Sequence, residues 1–89
     1  MLTLPPVLTH AEAAGFSGGL EQLVAQQGTT VIADASALSQ FDSSAIAVLL
    51  ACRREALAAG KDFSVQGLPV RLRQLAGLYG VEGLIPVAA

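Results

Sequence analysis

The feature that most constrains the fold is a strand–turn–helix segment over residues 29–59. Residues 29–33 are apolar and β-branched, which is typical of a fully buried strand. A small polar turn covers residues 34–40, and apolar side chains then recur at three-and-four spacing over residues 43–59, which indicates an amphipathic helix. The segment therefore predicts a βα unit at the centre of the molecule.

The N-terminal third predicts an edge strand and an interrupted helix. Residues 2–8 are apolar but contain two adjacent prolines, which lack backbone donors and favour an edge of the sheet. Thr9 and Glu12 have the spacing of a capping box, in which the threonine hydroxyl accepts from the N3 amide, so the first helix is expected to begin near His10. Glycines are expected to interrupt and then stop this helical segment: Gly18, Gly19 and Gly28.

The C-terminal third predicts a strand, a helix and a tail. Gly60 is expected to end the long helix in a left-handed conformation, residues 63–66 alternate as a short strand, and Pro69 suits the first helical position. The expected apolar stripe of the last helix is Leu72, Leu75, Ala76 and Tyr79. Leu84 and Ile85 are expected to pack back on the sheet, and Gly80 to close the helix.

The order of these elements is βαβαβα, which predicts a single α/β domain over residues 1–89. Such alternation implies a small, mostly parallel sheet whose interior strands are covered by helices, with the N-terminal strand at an edge. Ligands of such sheets gather at the carboxyl ends of the strands, where the turn before the long helix lies.

Composition indicates a protein partner and argues against nucleic acid. Charged residues make up 13% of the chain, against about 25% in typical domains, so part of the surface is expected to be covered by a partner. The net charge is −2, with no Trp and one Tyr, so a basic surface or a stacking platform is not expected.

The N-terminus lacks the pattern of a signal peptide, and no apolar run has the length of a membrane span, which predicts a cytoplasmic protein.

The sequence offers little support for catalysis. His10 is the single histidine and is distant in sequence from Ser43 and Ser44, so a Ser–His pair is not expected. Cys52 falls on the apolar face of the long helix and is interpreted as a packing residue. Metal-ligand spacings and glycine-rich phosphate loops are missing from the sequence. We therefore expect no enzyme activity, metal or cofactor.

The candidate site is the start of the long helix, at Asp42, Ser43 and Ser44. Free amides and the positive end of the helix dipole meet there, which suits an anionic group. One interpretation is a plain helix cap by Asp42 or Ser43. The other is a partner-binding or phosphorylation site, because a phosphate there would add about two negative charges.

Residues 31–45 resemble the signature of STAS domains, the sulfate-transporter and anti-sigma-factor-antagonist family. Its members typically show an apolar strand, Asp-Leu-Ser, a short loop, and Asp-Ser-Ser-Gly or Asp-Thr-Ala-Gly before a long helix. Residues 60–68 and 72–84 extend the likeness and look particularly like the small MlaB type. Ala45 stands where the family usually has glycine, and Ala35 stands where leucine is common.

The resemblance implies an α/β fold and a non-enzymatic, cytoplasmic accessory subunit that binds the ATPase of a Mla-type phospholipid-transport ABC complex. It would reach the membrane only through that complex. The alternative is an anti-sigma factor antagonist that a partner kinase phosphorylates on a serine. In both cases the resemblance makes Asp42, Ser43 and Ser44 candidates for partner binding or phosphorylation.

Overall fold

The computed structural model describes residues 1–88 and has the predicted α/β architecture. Groups of one or two strands alternate with groups of one or two helices, and a short 3-10 helix, Glu82–Leu84, precedes the tail. The elements in chain order are β1 Leu2–Thr3, β2 Val7–Leu8, α1 His10–Gly18, α2 Leu20–Ala25, β3 Thr30–Asp34, β4 Gln40–Phe41, α3 Ser43–Ala58, β5 Asp62–Gln66 and α4 Val70–Leu78.

The main sheet has three parallel strands in the order β1-β3-β5, so the N-terminal strand lies at an edge as predicted. Pro5 and Pro6 fall between β1 and β2, and they divide the predicted strand because neither can donate a backbone hydrogen bond. β2 pairs instead with β4 in a second, two-stranded parallel sheet. A bridge between Val65 and Val87 attaches the tail to the other edge of the main sheet.

Helices cover one face of the main sheet, so the expectation of a fully buried central strand is wrong. In β3, Val31 and Ala33 are 0% exposed, whereas Thr30 is exposed and Ile32 and Asp34 are half-buried. The strand order explains this. Both crossovers run in the same direction across the sheet, and right-handed crossovers of that kind bring their helices to the same face.

The long helix α3 is the centre of the core, as its apolar periodicity predicts. Its buried residues are Ala45, Ile46, Val48, Leu49, Cys52 and Ala56. Ala59, which was expected to continue this stripe, is exposed because the helix ends one residue earlier. Burial raises the pKa of the Cys52 thiol to about 11, so Cys52 is a packing residue with little thiolate at neutral pH.

The ends of the first helical segment differ from the prediction. α1 begins at His10, but the Thr9 side chain makes no cap to a backbone amide, and its hydroxyl contacts the Glu12 carboxylate instead. α2 ends at Ala25, and Gly28 is not in the left-handed conformation expected of it. The ammonium of Lys61 satisfies the carbonyl oxygens at this end, donating to Val24 at 2.9 Å and to Gln27 at 2.8 Å.

The C-terminal elements follow the prediction with local differences. Gly60 has positive φ, as expected, Gly80 follows the end of α4 and also has positive φ, and the break at Gly18 and Gly19 is present. Pro69 is the N-cap of α4 and not its first helical residue. Two residues expected to be buried face solvent: Tyr79 is 58% exposed and Leu84 is 41% exposed, whereas Ile85 is buried.

Replacing Gly67 by alanine is expected to lower stability by about 2–4 kcal/mol, as the sum of left-handed strain and overpacking. Gly67 has φ +69°, and a β-carbon there would lie 2.8 Å from Cβ of Ser36. Gly60→Ala is the matched control, because φ is +73° but nothing lies within 4 Å of the added carbon. Urea unfolding of both variants measures the difference, and equal losses would contradict the packing argument.

Candidate functional site

The start of α3 is fixed by one side chain that caps two helices. The Asp42 carboxylate accepts from the Ser44 amide at 2.8 Å, as an N-cap does, and its second oxygen accepts from the His10 amide at 3.1 Å. Asp42 thus joins the N-terminus of α1 to the N-terminus of α3. The cap predicted at this position is present, and the same carboxylate satisfies the first amide of α1, at His10.

These hydrogen bonds also set the charge of the carboxylate. The Ser44 amide is the main cause that lowers the pKa of Asp42 below its ordinary value of 3.8, and the His10 amide lowers it further. Asp42 is therefore ionised at neutral pH, with one amide on each oxygen.

The two serines face different clefts. Ser43 is exposed and lies in a cleft of about 410 Å³, here called the α4 cleft. The other residues lining the α4 cleft are Phe41, Asp42, Arg71, Gln74, Leu75, Leu78 and Tyr79. Ser44 is half-buried and lines a groove of about 380 Å³ between α1 and α3, here called the α1 groove, together with His10 and Arg54. The structure thus brings the three candidates together at the start of α3, but the two serines line different clefts.

Large apolar side chains are exposed along the α4 cleft. Leu78 is 83% exposed, and Tyr79 lies beside it. The guanidinium of Arg71 stands over the ring of Phe41, 5.7 Å from its centroid, which is a cation–π arrangement. The cleft residues of α4 and its C-cap recur at helical spacing: Arg71, Gln74, Leu75, Leu78 and Tyr79. This stripe is the signal from which the cleft could have been found in the sequence.

His10 is the residue near the site that sequence reasoning missed. It is distant along the chain, but its amide bonds to Asp42 and its side chain lines the α1 groove with Ser44. Only the packing of α1 on α3 places it there. Within residues 1–88, no group of three or more His, Cys, Asp or Glu side chains is arranged to hold a metal ion.

The fold and this surface define a class: a small α/β domain that presents a helix N-terminus beside an exposed apolar cleft. No helix within residues 1–88 is both long and apolar enough to span a membrane. A family model described as "Mlab, STAS domain" matches residues 1–86. The chain therefore belongs to the STAS domain family, whose members are protein–protein interaction modules, and the resemblance stated from the sequence is confirmed.

Among solved structures, the anti-sigma factor antagonist SpoIIAA in its unphosphorylated form is similar, with a TM-score of 0.73 and 22% identity. The likeness covers 98% of this chain and 76% of that chain. At this identity it establishes the fold alone. A comparison with curated proteins finds no significant match.

Proposed function

We propose that this chain is a non-enzymatic accessory subunit that binds the ATPase of a Mla-type phospholipid-transport ABC complex. Residues 1–89 act as one domain in the cytoplasm and reach the membrane through the complex. The observation that carries the proposal is the α4 cleft, since it combines the helix start at Ser43 with exposed Leu78 and Tyr79. The MlaB-type family model supports an ATPase as the partner.

The chemistry of the end of α4 suits a protein interface. Residues 74–79 include no charged side chain, so a partner covering this region displaces little strongly bound water. Full burial of an exposed leucine-sized side chain stabilises a complex by about 1.5–3 kcal/mol. Such a surface is typical of the core of an interface, where charge is depleted and aromatic residues are enriched.

A second candidate function is that of an anti-sigma factor antagonist controlled by phosphorylation. The exposed hydroxyl of Ser43 at the first position of α3 favours it, because the helix dipole would stabilise a phosphate there. Incubation with the cell's anti-sigma kinase and ATP, followed by mass spectrometry, tests this function. A product without phosphate on Ser43 or Ser44 would exclude it.

Co-expression with the cognate ATPase and permease tests the proposed function. Affinity purification through a tag on this chain should recover the ATPase and the permease, and all three should stay together in size-exclusion chromatography. An ATPase–permease complex that assembles without this chain, with none of it bound, would contradict the proposal.

Ser43→Glu is expected to weaken binding of the ATPase by about tenfold or more, because it puts a charge where the partner docks. The fold should persist, since a carboxylate is tolerated at a helix N-terminus. Ser44→Glu should weaken binding less, because Ser44 lies in the α1 groove. Gln22→Glu adds the same charge at an exposed position of α2 and serves as the control. Titration of the ATPase with each variant measures the effect, and wild-type affinity for Ser43→Glu would contradict it.

A further inference from the structure

We propose that the α4 cleft receives a short amphipathic helix of the partner, and that an acidic side chain of this helix pairs with Arg71. The inference rests on the proposed function and specifies the chemistry that the partner presents. It follows from the shape of the cleft, from the balance of charge within it, and from the spacing of its groups along α4.

The walls of the cleft favour a helix over an extended segment. One wall is α4 and the other is the first turn of α3, and helix backbones have their own hydrogen bonds. The nearby strand β4 contributes only Phe41, the second residue of a two-residue strand that is already paired with β2. An extended partner would leave its own amides without partners here, whereas a helix satisfies them internally.

The charge of the cleft favours an acidic partner group. Arg71 is the one cationic side chain that lines it, and Asp42 is the one acidic side chain. Both oxygens of Asp42 accept from backbone amides, so its charge is largely engaged within the fold. The positive end of the α3 dipole adds to Arg71. The aromatic ring of Phe41 holds the guanidinium in position before the partner arrives, which reduces the entropy lost on binding.

The spacing of these groups describes the partner helix. Arg71 and Leu78 are seven residues apart on α4, which corresponds to about 10 Å, or two helical turns. A partner helix lying along α4 would therefore carry its acidic residue about two turns from the apolar residues that cover Leu78 and Tyr79.

Titration of the purified ATPase with charge variants tests the pairing. Arg71→Glu is expected to weaken binding by about tenfold or more, and Arg71→Gln by less, because reversal adds repulsion to the lost attraction. Arg73→Glu is the matched control: it is exposed on the same helix but lines a different cavity, beside Glu82 and Ile85. It should keep wild-type affinity. In a second step, one acidic-to-arginine variant of the ATPase should restore binding to Arg71→Glu and weaken binding to wild type.

The outcomes separate this inference from the proposed function. If wild-type chain binds the ATPase and Arg71→Glu, with an unchanged melting curve, binds equally well, the pairing is wrong and the proposed function stands. Equal losses of affinity in Arg71→Glu and Arg73→Glu would show a general effect of charge and contradict a specific pairing with Arg71. Failure of every acidic ATPase variant to restore binding would also overturn it. If wild-type chain does not bind the ATPase, the proposed function fails and the inference fails with it.

Discussion

Leu78→Asp is expected to weaken association with the ATPase by about thirtyfold or more, the loss typical of an interface hot spot. Leu78 is the most exposed large apolar side chain of the described chain, so the folded subunit loses almost no packing when it is replaced. The complex, in contrast, loses apolar burial and must desolvate a carboxylate in the α4 cleft. Calorimetric titration of the ATPase measures the change.

The matched control is Leu57→Asp. Leu57 is also a large exposed leucine, 49% accessible on α3, but it lies outside the α4 cleft. It should bind as wild type does once melting curves show that both variants are folded. Comparable losses of affinity in the two variants would mean that the partner does not bind specifically at the α4 cleft.

Asp42→Ala is expected to lower the melting temperature by about 4–8 °C or more, because it removes a cap from two helices at once. Asp42→Ser distinguishes the two bonds. A serine hydroxyl can still accept from the Ser44 amide, but its single oxygen cannot also hold the His10 amide at the second helix. Asp42→Ser should therefore melt between wild type and Asp42→Ala, and faster amide exchange should appear at His10. A serine variant as stable as wild type would show that the bond to His10 contributes nothing.

The same cap predicts a pH dependence. The pKa of Asp42 is lower in the folded chain than its ordinary value of 3.8, so its stabilisation is fully present above that value and is lost as the pH falls through the folded pKa. The stability difference between wild type and Asp42→Ala should therefore be constant near neutral pH and shrink in acid. Melting curves taken from pH 7 down to pH 3 measure it, and a difference that grows in acid would contradict the assignment.

Local patterns predicted the parts of the fold that local physics determines. The apolar spacing of α3, the Asp42 cap and the left-handed glycine at position 60 each depend on a few neighbouring residues, and all are present. The alternation of elements predicted a parallel α/β sheet for the same reason.

The features that the sequence did not predict depend on long-range contacts. No local pattern shows that Asp42, distant in the sequence, accepts from the His10 amide at the start of α1. Gly28 was expected to cap α2, but the carbonyl oxygens at the end of α2 accept from Lys61, which lies in another part of the chain. Strand order, which decides whether the sheet has one covered face or two, is likewise absent from local patterns.

The start of α3 was predicted in position, but the arrangement of the side chains around it was not. The Asp42-Ser43-Ser44 motif predicted the start of α3. The spacing of these residues does not show that Ser43 and Ser44 face different clefts. The stripe of α4 assigned to the core included Tyr79, but only Leu72 and Ala76 of that stripe are buried, and Tyr79 lines the exposed cleft. An apolar stripe is ambiguous in this way until the neighbours of the helix are known.

The most direct test is hydrogen–deuterium exchange of this chain with and without the purified ATPase, because it maps the binding surface without any substitution. We expect slower exchange on binding at residues 41–44 and 71–79, which line the α4 cleft. The open face of the main sheet, including β1 and β5, should exchange as in the free chain. Protection confined to that face or to the α1 groove, or no change in exchange at all, would contradict the account.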